Sequence, residues 1–347
     1  MKRTSLLLIP ILLIALLLCS CNADAQDGIF SAIADSAPDA GIKVQAYLGL
    51  YDGHHYILTD SGITVLGDSD GFEQILSTSD AQIRYACLSI NGSSNFIYVV
   101  TSKQGSERGE DSKLVRYNTN GVLDSPQSTQ TNVKWLTNNG VYYVETSTTK
   151  TLKFLTATQD IDFTDNGIIN KLESENYVLT EHKDGTLKVY YVYGLNNAEK
   201  LSISRSSVSG EIVGFQVVDD SNFLVVINSG SSYGIYTLDS SRLSSSAVAA
   251  LKSTPANGNI CSFYYKDEDG KGHVAFKAAN YFDLLTIDGT SYSIDTINTA
   301  GYASKLRTAL VSNIVSSNNA GKFIIATWNN SIWEIDPTST DDPVEIK

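Results

Sequence analysis

His54 and His55 stand side by side after Asp52-Gly53 and open a strand-like run. Two imidazoles could serve a zinc ion if a third ligand came from elsewhere in the chain. Adjacent residues on a strand point to opposite faces, so this pair does not converge by itself. His182 and His273 are isolated. Two short acidic loops could offer oxygen to calcium. "YKDEDGKG" (265–272) supplies Asp267 and Asp269, and "GDSDGFE" (67–73) supplies Asp68 and Asp70. Neither completes a calcium loop of about six oxygen ligands, and Asp-Gly is also the ordinary chemistry of a hairpin tip. The expectation is no bound metal, with these four aspartates as the calcium candidates.

Three tryptophans could form a binding surface: Trp328 and Trp333 in the last hairpin, and Trp135 further up the chain. Exposed, they would suit a glycan or protein partner; buried, they would fill space. No Gly-x-Ser-x-Gly elbow, P-loop or dinucleotide fingerprint occurs. Carboxylate pairs for glycoside hydrolysis could be assembled by the fold, but no residue is nominated as catalytic.

Cys19 and Cys21 follow a charge-free run, "LLLIPILLIALLL" (6–18), that begins after Lys2 and Arg3. The run is 13 residues long, short of the roughly 20 needed to span a bilayer core as a helix. A basic start, a short apolar run and small residues describe a secretory signal. The sequence Leu18-Cys19-Ser20-Cys21 resembles the lipobox of bacterial lipoproteins, with Leu three residues before the modified cysteine. Cys19 stands where Ala, Ser or Thr is usual. The resemblance implies cleavage after residue 20, diacylglycerol and acyl chains on Cys21, and attachment to a bacterial membrane on the periplasmic or surface side. Cys19 would leave with the leader. Residues 21–41 would then form a lipidated, acidic tether, "NADAQDGIFSAIADSAPDAG" after Cys21. Ile29, Phe30 and Ile33 are the residues there that could dock on the domain.

Loss of residues 1–20 removes Lys2 and Arg3 but no acid. The remainder carries 23 basic against 38 acidic side chains, net −15. No basic patch is present, which excludes nucleic acid as a partner class. Cys87 and Cys261 lie in apolar runs and are expected as reduced core thiols.

The elements that must position these residues repeat. "HYILTDSGITVL" (55–66), "YVLTEHKDGTLKVYYV" (177–192) and "FIIATWNNSIWEIDP" (323–337) each read strand, turn, strand. Seven such hairpins begin at Tyr56, Phe96, Val141, Tyr177, Phe223, Val274 and Phe323, with spacings of 40, 45, 36, 46, 51 and 49 residues. Six have a further apolar run ahead of them, and "FEQIL" (72–76) and "SYSIDTI" (291–297) supply fourth runs. Four short strands per 40–50 residues is the spacing of a propeller blade.

The reading is therefore an all-β chain, with one seven-bladed β-propeller of four-stranded antiparallel blades over residues 42–347. Six or eight blades, or one large β-sandwich or two sandwiches, are the alternatives. In a seven-bladed ring Cys87 and Cys261 would fall on blades two and six, too far apart for a disulfide. The chain resembles a divergent propeller, without the Trp-Asp or quinoprotein repeat signatures. In outline it is similar to surface lipoproteins of spirochaetes and other bacteria, and in fold and anchor to the propeller lipoprotein of the barrel-assembly machinery.

The function expected is a non-enzymatic, membrane-anchored scaffold for a protein, peptide or glycan. The alternatives are an exported glycan-acting hydrolase with carboxylates in the axial pocket, and a small-ligand receptor.

Overall fold

The computed structural model describes residues 43–346. It leaves out 67–71, 78–80, 92–93, 104–110, 125–129, 148–149, 156–166, 194–195, 206–207, 256–259, 278–281, 298–305, 307–308 and 329–331. Cys21, the tether, Asp68 and Asp70 lie outside the described residues.

Blade one is β1 (Val44–Tyr51), β2 (His54–Thr59), β3 (Ile63–Leu66) and β4 (Phe72–Leu76). Blade two is β5 (Ala81–Asn91), β6 (Ser94–Lys103), β7 (Lys113–Asn118) and β8 (Gln130–Thr131). Blade three shows β9 (Val133–Leu136), β10 (Val141–Glu145) and β11 (Lys150–Phe154) among the described residues. Blade four is β12 (Ile168–Ser174), β13 (Tyr177–His182), β14 (Thr186–Tyr193) and β15 (Asn196–Ser204). Blade five is β16 (Glu211–Val217), β17 (Asn222–Asn228), β18 (Tyr233–Asp239) and β19 (Ala249–Ala250). Blade six is β20 (Ser262–Lys266), β21 (Gly272–Lys277), β22 (Phe282–Asp288) and β23 (Ser291–Ile297). Blade seven is β24 (Val311–Ser316), β25 (Phe323–Thr327), β26 (Ile332–Ile335) and β27 (Val344–Ile346). Each sheet is antiparallel and takes its strands in chain order. The propeller read from the hairpin spacing is present, with all seven hairpins in place.

Side-chain alternation explains why such blades form a ring. In β17, Phe223, Val225 and Ile227 pack toward blade four, while Leu224 and Val226 pack toward blade six. A second strand is thus buried on both faces, which is why it reads as a continuous apolar run. Seven separate apolar clusters fill the seven joints between neighbouring blades. The joint between the last blade and the first holds Val44, Tyr47, Ile57 and Leu66 against Ile324, Ala326 and Ile332.

Near the start of each innermost strand stands a buried branched aliphatic residue: Val44, Ile83, Val133, Ile168, Ile212, Ile260 and Val311. A register irregularity follows it in blades one, two, three, four, five and seven. Bulges sharpen the twist of a strand, and here they recur near the start of the innermost strand in six of the blades. Asn170 and Asn313 occupy the same place after the bulge in blades four and seven, and each reaches the next blade. The Asn170 Nδ2 donates to the Ile212 carbonyl at 2.7 Å.

Candidate functional site: the axial cavity

The innermost strands of blades three to seven enclose a cavity of about 470 Å³, within the usual range for a ligand site. Trp135, Asn138 and Asn139 line it from blade three, Lys171 to Asn176 from blade four, and Phe215 and Gln216 from blade five. Cys261 to Phe263 and Ser312 to Ser316 complete the wall.

Alternation along β12 sets the chemistry of the blade-four wall. Leu172 packs into the blade five joint, and the Ser174 hydroxyl accepts the Val217 N–H at 3.2 Å. Lys171 and Glu173 turn the other way, toward blade three. The Lys171 ammonium lies 4.6 Å from the Tyr143 ring centre and 5.8 Å from that of Trp135. Burial lowers its pKa, and the Glu145 charge partly opposes that. The Glu173 carboxylate accepts the Asn138 N–H at 3.2 Å. Its side chain meets solvent within the cavity, yet protein surrounds it closely. Desolvation raises its pKa to about 7, against the Asn138 hydrogen bond that lowers it. Glu175 follows at the β12–β13 turn with a left-handed φ of 49°, and burial raises its pKa as well. Its carbonyl accepts the Asn139 side-chain amide.

Much of the remaining polar wall serves the ring. Gln216 accepts the Ser262 hydroxyl at 2.8 Å and donates to the Val217 carbonyl at 2.9 Å. Asn313 bonds the backbone of Tyr47 across the closing joint.

The sequence candidates fall in different places. Trp135 is half-buried on the cavity wall. Trp333 is 4 % exposed and fills the joint between blades six and seven, so it is packing material and not a contact surface. Trp328 is 37 % exposed, and its N–H donates to the carbonyl of the exposed Leu310 at 2.9 Å.

The adjacent histidines diverge: the His54 Nδ1 lies 2.6 Å from the Asp52 carbonyl oxygen, and the His55 Nδ1 lies 2.9 Å from the Tyr47 hydroxyl. His182 is buried, with its Nε2 3.0 Å from the Thr180 hydroxyl. Asp267 accepts the Lys271 N–H within its own turn and sits 2.8 Å from His273, which stacks on Tyr265. Asp269 lies in the same turn. Among the described residues, no three His, Cys, Asp or Glu side chains converge in a way that could hold a metal.

Cys87 and Cys261 are free thiols. Cys87 donates to the Asn138 carbonyl at 3.1 Å, and Cys261 lines the cavity.

Sequence reading missed the wall of blade four. "IINKLES" carries Asn, Lys, Glu and Ser where an apolar strand is sought, because its side chains face the cavity and the next blade's backbone. The recurring aliphatic residue, Ile168 in this blade, is the signal that could have located it.

No protein-family model matches the chain, and comparison with curated proteins finds no match either. Among solved structures, the extracellular domain of a hybrid two-component system from B. thetaiotaomicron is similar at 12 % identity and a TM-score of 0.50, over 86 % of this chain and 38 % of that one. Prolyl oligopeptidase B from Galerina marginata is similar at 13 % identity and a TM-score of 0.54, over 91 % of this chain and 52 % of that one. A study of two prolyl endopeptidases supplies a third, at 12 % identity and 0.54, covering 93 % of this chain and 53 % of the other. The chain thus spans about half or less of the length of these three proteins. At these identities the likeness extends to the fold, a divergent β-propeller.

Proposed function

We propose that the chain is an exported bacterial lipoprotein, held to its membrane by acyl chains on Cys21, whose propeller binds a protein, peptide or glycan partner without chemistry of its own. The observation that carries the binding reading is the axial cavity. Five rigid strands supply its wall, and it combines amides, carboxylates and the Trp135 indole. A fixed scaffold with side chains from separate elements is suited to recognition. The anchor reading rests on Leu18-Cys19-Ser20-Cys21 after the apolar run.

Two measurements test it. The full chain in detergent, carrying a crosslinker at position 139, should capture one defined partner from membranes. The Ser262→Trp variant, which fills the cavity, should lose that partner. Equal capture by both would overturn the cavity as the binding site. Cys21→Ser should move the protein from the membrane fraction to the soluble one; unchanged fractionation would refute the anchor.

A second reading, a glycan-acting hydrolase, is favoured by one observation: a Glu173 carboxyl whose pKa of about 7 suits a general acid. Release of reducing ends from a cell-wall glycan digest, abolished in Glu173→Gln, would support it; no release would end it.

A further inference from the structure

The groups that a cavity wall leaves unengaged describe the ligand it is built to take. Asn313, Gln216 and the Asn139 side chain are held by the ring itself. The Lys171 ammonium rests on the faces of Tyr143 and Trp135. The carboxylates of Glu173 and Glu175 remain. Glu173 receives one hydrogen bond, from the Asn138 N–H at 3.2 Å. Among the described residues neither carboxylate has a cationic partner within salt-bridge distance. Both side chains meet solvent inside the cavity, and the protein packed around them works against their charged forms. A carboxylate confined on a cavity wall without a counter-charge is less well stabilised than one in open water, and a ligand that brings the counter-charge offsets that.

A neutral sugar would bring hydroxyls but no charge. A guanidinium brings several planar donors that match carboxylate oxygens in pairs, and an ammonium brings three. The chain's net charge of −13 draws basic partners in from a distance. The side-chain amides of Asn138 and Asn176, at the same wall, are available to the backbone of an entering peptide.

We propose that the axial cavity receives the cationic head of an arginine or lysine side chain carried by a peptide segment of a partner protein, seated against the Glu173 and Glu175 carboxylates. This rests on the binding reading above and names the partner's chemistry.

The test is calorimetric titration of the full chain in detergent, at low salt, with three probes: a tri-arginine peptide, a tri-glutamine peptide and a neutral oligosaccharide. The tri-arginine peptide should bind and the tri-glutamine peptide should not. Glu173→Gln and Glu175→Gln should each weaken tri-arginine binding by about tenfold or more, while Asp341→Asn on the outer surface leaves it unchanged. Melting curves confirm that each variant is folded; if one is not, the other carries the test. Uniform weakening by Asp341→Asn as well would reduce the effect to general attraction and overturn the proposal. Absence of tri-arginine binding would also overturn it. Oligosaccharide binding without peptide binding would overturn it too, yet would leave the cavity a binding site. If no probe binds and the membrane capture also fails, the binding reading itself falls.

Discussion

The Asn313 side chain pairs with both polar atoms of the Tyr47 backbone: its Oδ1 accepts the N–H at 2.9 Å and its Nδ2 donates to the carbonyl at 3.0 Å. These residues are 266 positions apart and belong to the last and first blades. The amide acts as a stand-in for a neighbouring strand, at the one joint where the chain has to find its own beginning.

Asn313→Ala removes both bonds and leaves an inner-strand N–H and C=O without partners. Urea denaturation of the full chain should show a loss of about 2 kcal/mol. Asn170→Ala breaks one bond to the next blade, from Nδ2 to the Ile212 carbonyl, and a local bond that its Oδ1 accepts from the Lys171 N–H; it leaves the closing joint intact and should cost less. Equal stability of the Asn313 variant and the parent would show that the apolar cluster closes the ring unaided.

Trp333 and Trp328 should part company under mutation. Trp333→Ala opens a void between blades six and seven and should destabilise by about 3–5 kcal/mol. Trp328→Ala, at a partly exposed site, should change stability by about 0.5 kcal/mol or less. Thermal melts of the two variants decide this, and a reversed order would contradict the packing of the last joint.

Glu173 gives a pH dependence with a definite sign. Its folded pKa of about 7 lies above the ordinary value of 4.5. Its contribution to stability is therefore fully present below pH 4.5 and is lost as the pH rises through 7. Glu173→Gln mimics the protonated form at every pH. Its melting temperature should match the parent's near pH 4.5 and exceed it at pH 8. A difference independent of pH would mean that Glu173 is hydrated like a surface acid.

The thiols should be inert in the native protein. Burial pushes Cys87 up to about 12 and Cys261 up to about 11, so almost no thiolate is present at neutral pH. Peptide mapping after iodoacetamide should find both unmodified in the folded chain and both alkylated in urea. Rapid native labelling of Cys261 would show that its thiol is open to reagent from the cavity it lines.

The blades were legible because their second strands are buried on both faces and so read as unbroken apolar runs, "FLVVI" and "FIIAT" being the plainest. The innermost strand of blade four was not legible. Its side chains serve the cavity, an aromatic cage and the next blade, and those demands erase the apolar pattern on which strand recognition depends. The cavity was equally hidden. Trp135, Glu173, Gln216 and Asn313 are separated by tens of residues and meet only because each sits on an innermost strand. Trp135 was singled out by residue type, and the structure seats it at the cavity, whereas Trp333 was singled out on the same grounds and proves to be filler. Residue type alone does not distinguish the two.

Among the described residues each blade is built from strands that follow one another in the chain, the seventh included, and no strand from one end is woven into the sheet of the other. Among the described residues no backbone hydrogen bond crosses from blade one to blade seven. Tension applied between Val44 and Ile346 therefore loads a seam of side chains: one amide clamp and one apolar cluster. The ring should yield there first, as a clasp does, with all seven sheets still intact and able to close again once the load is released.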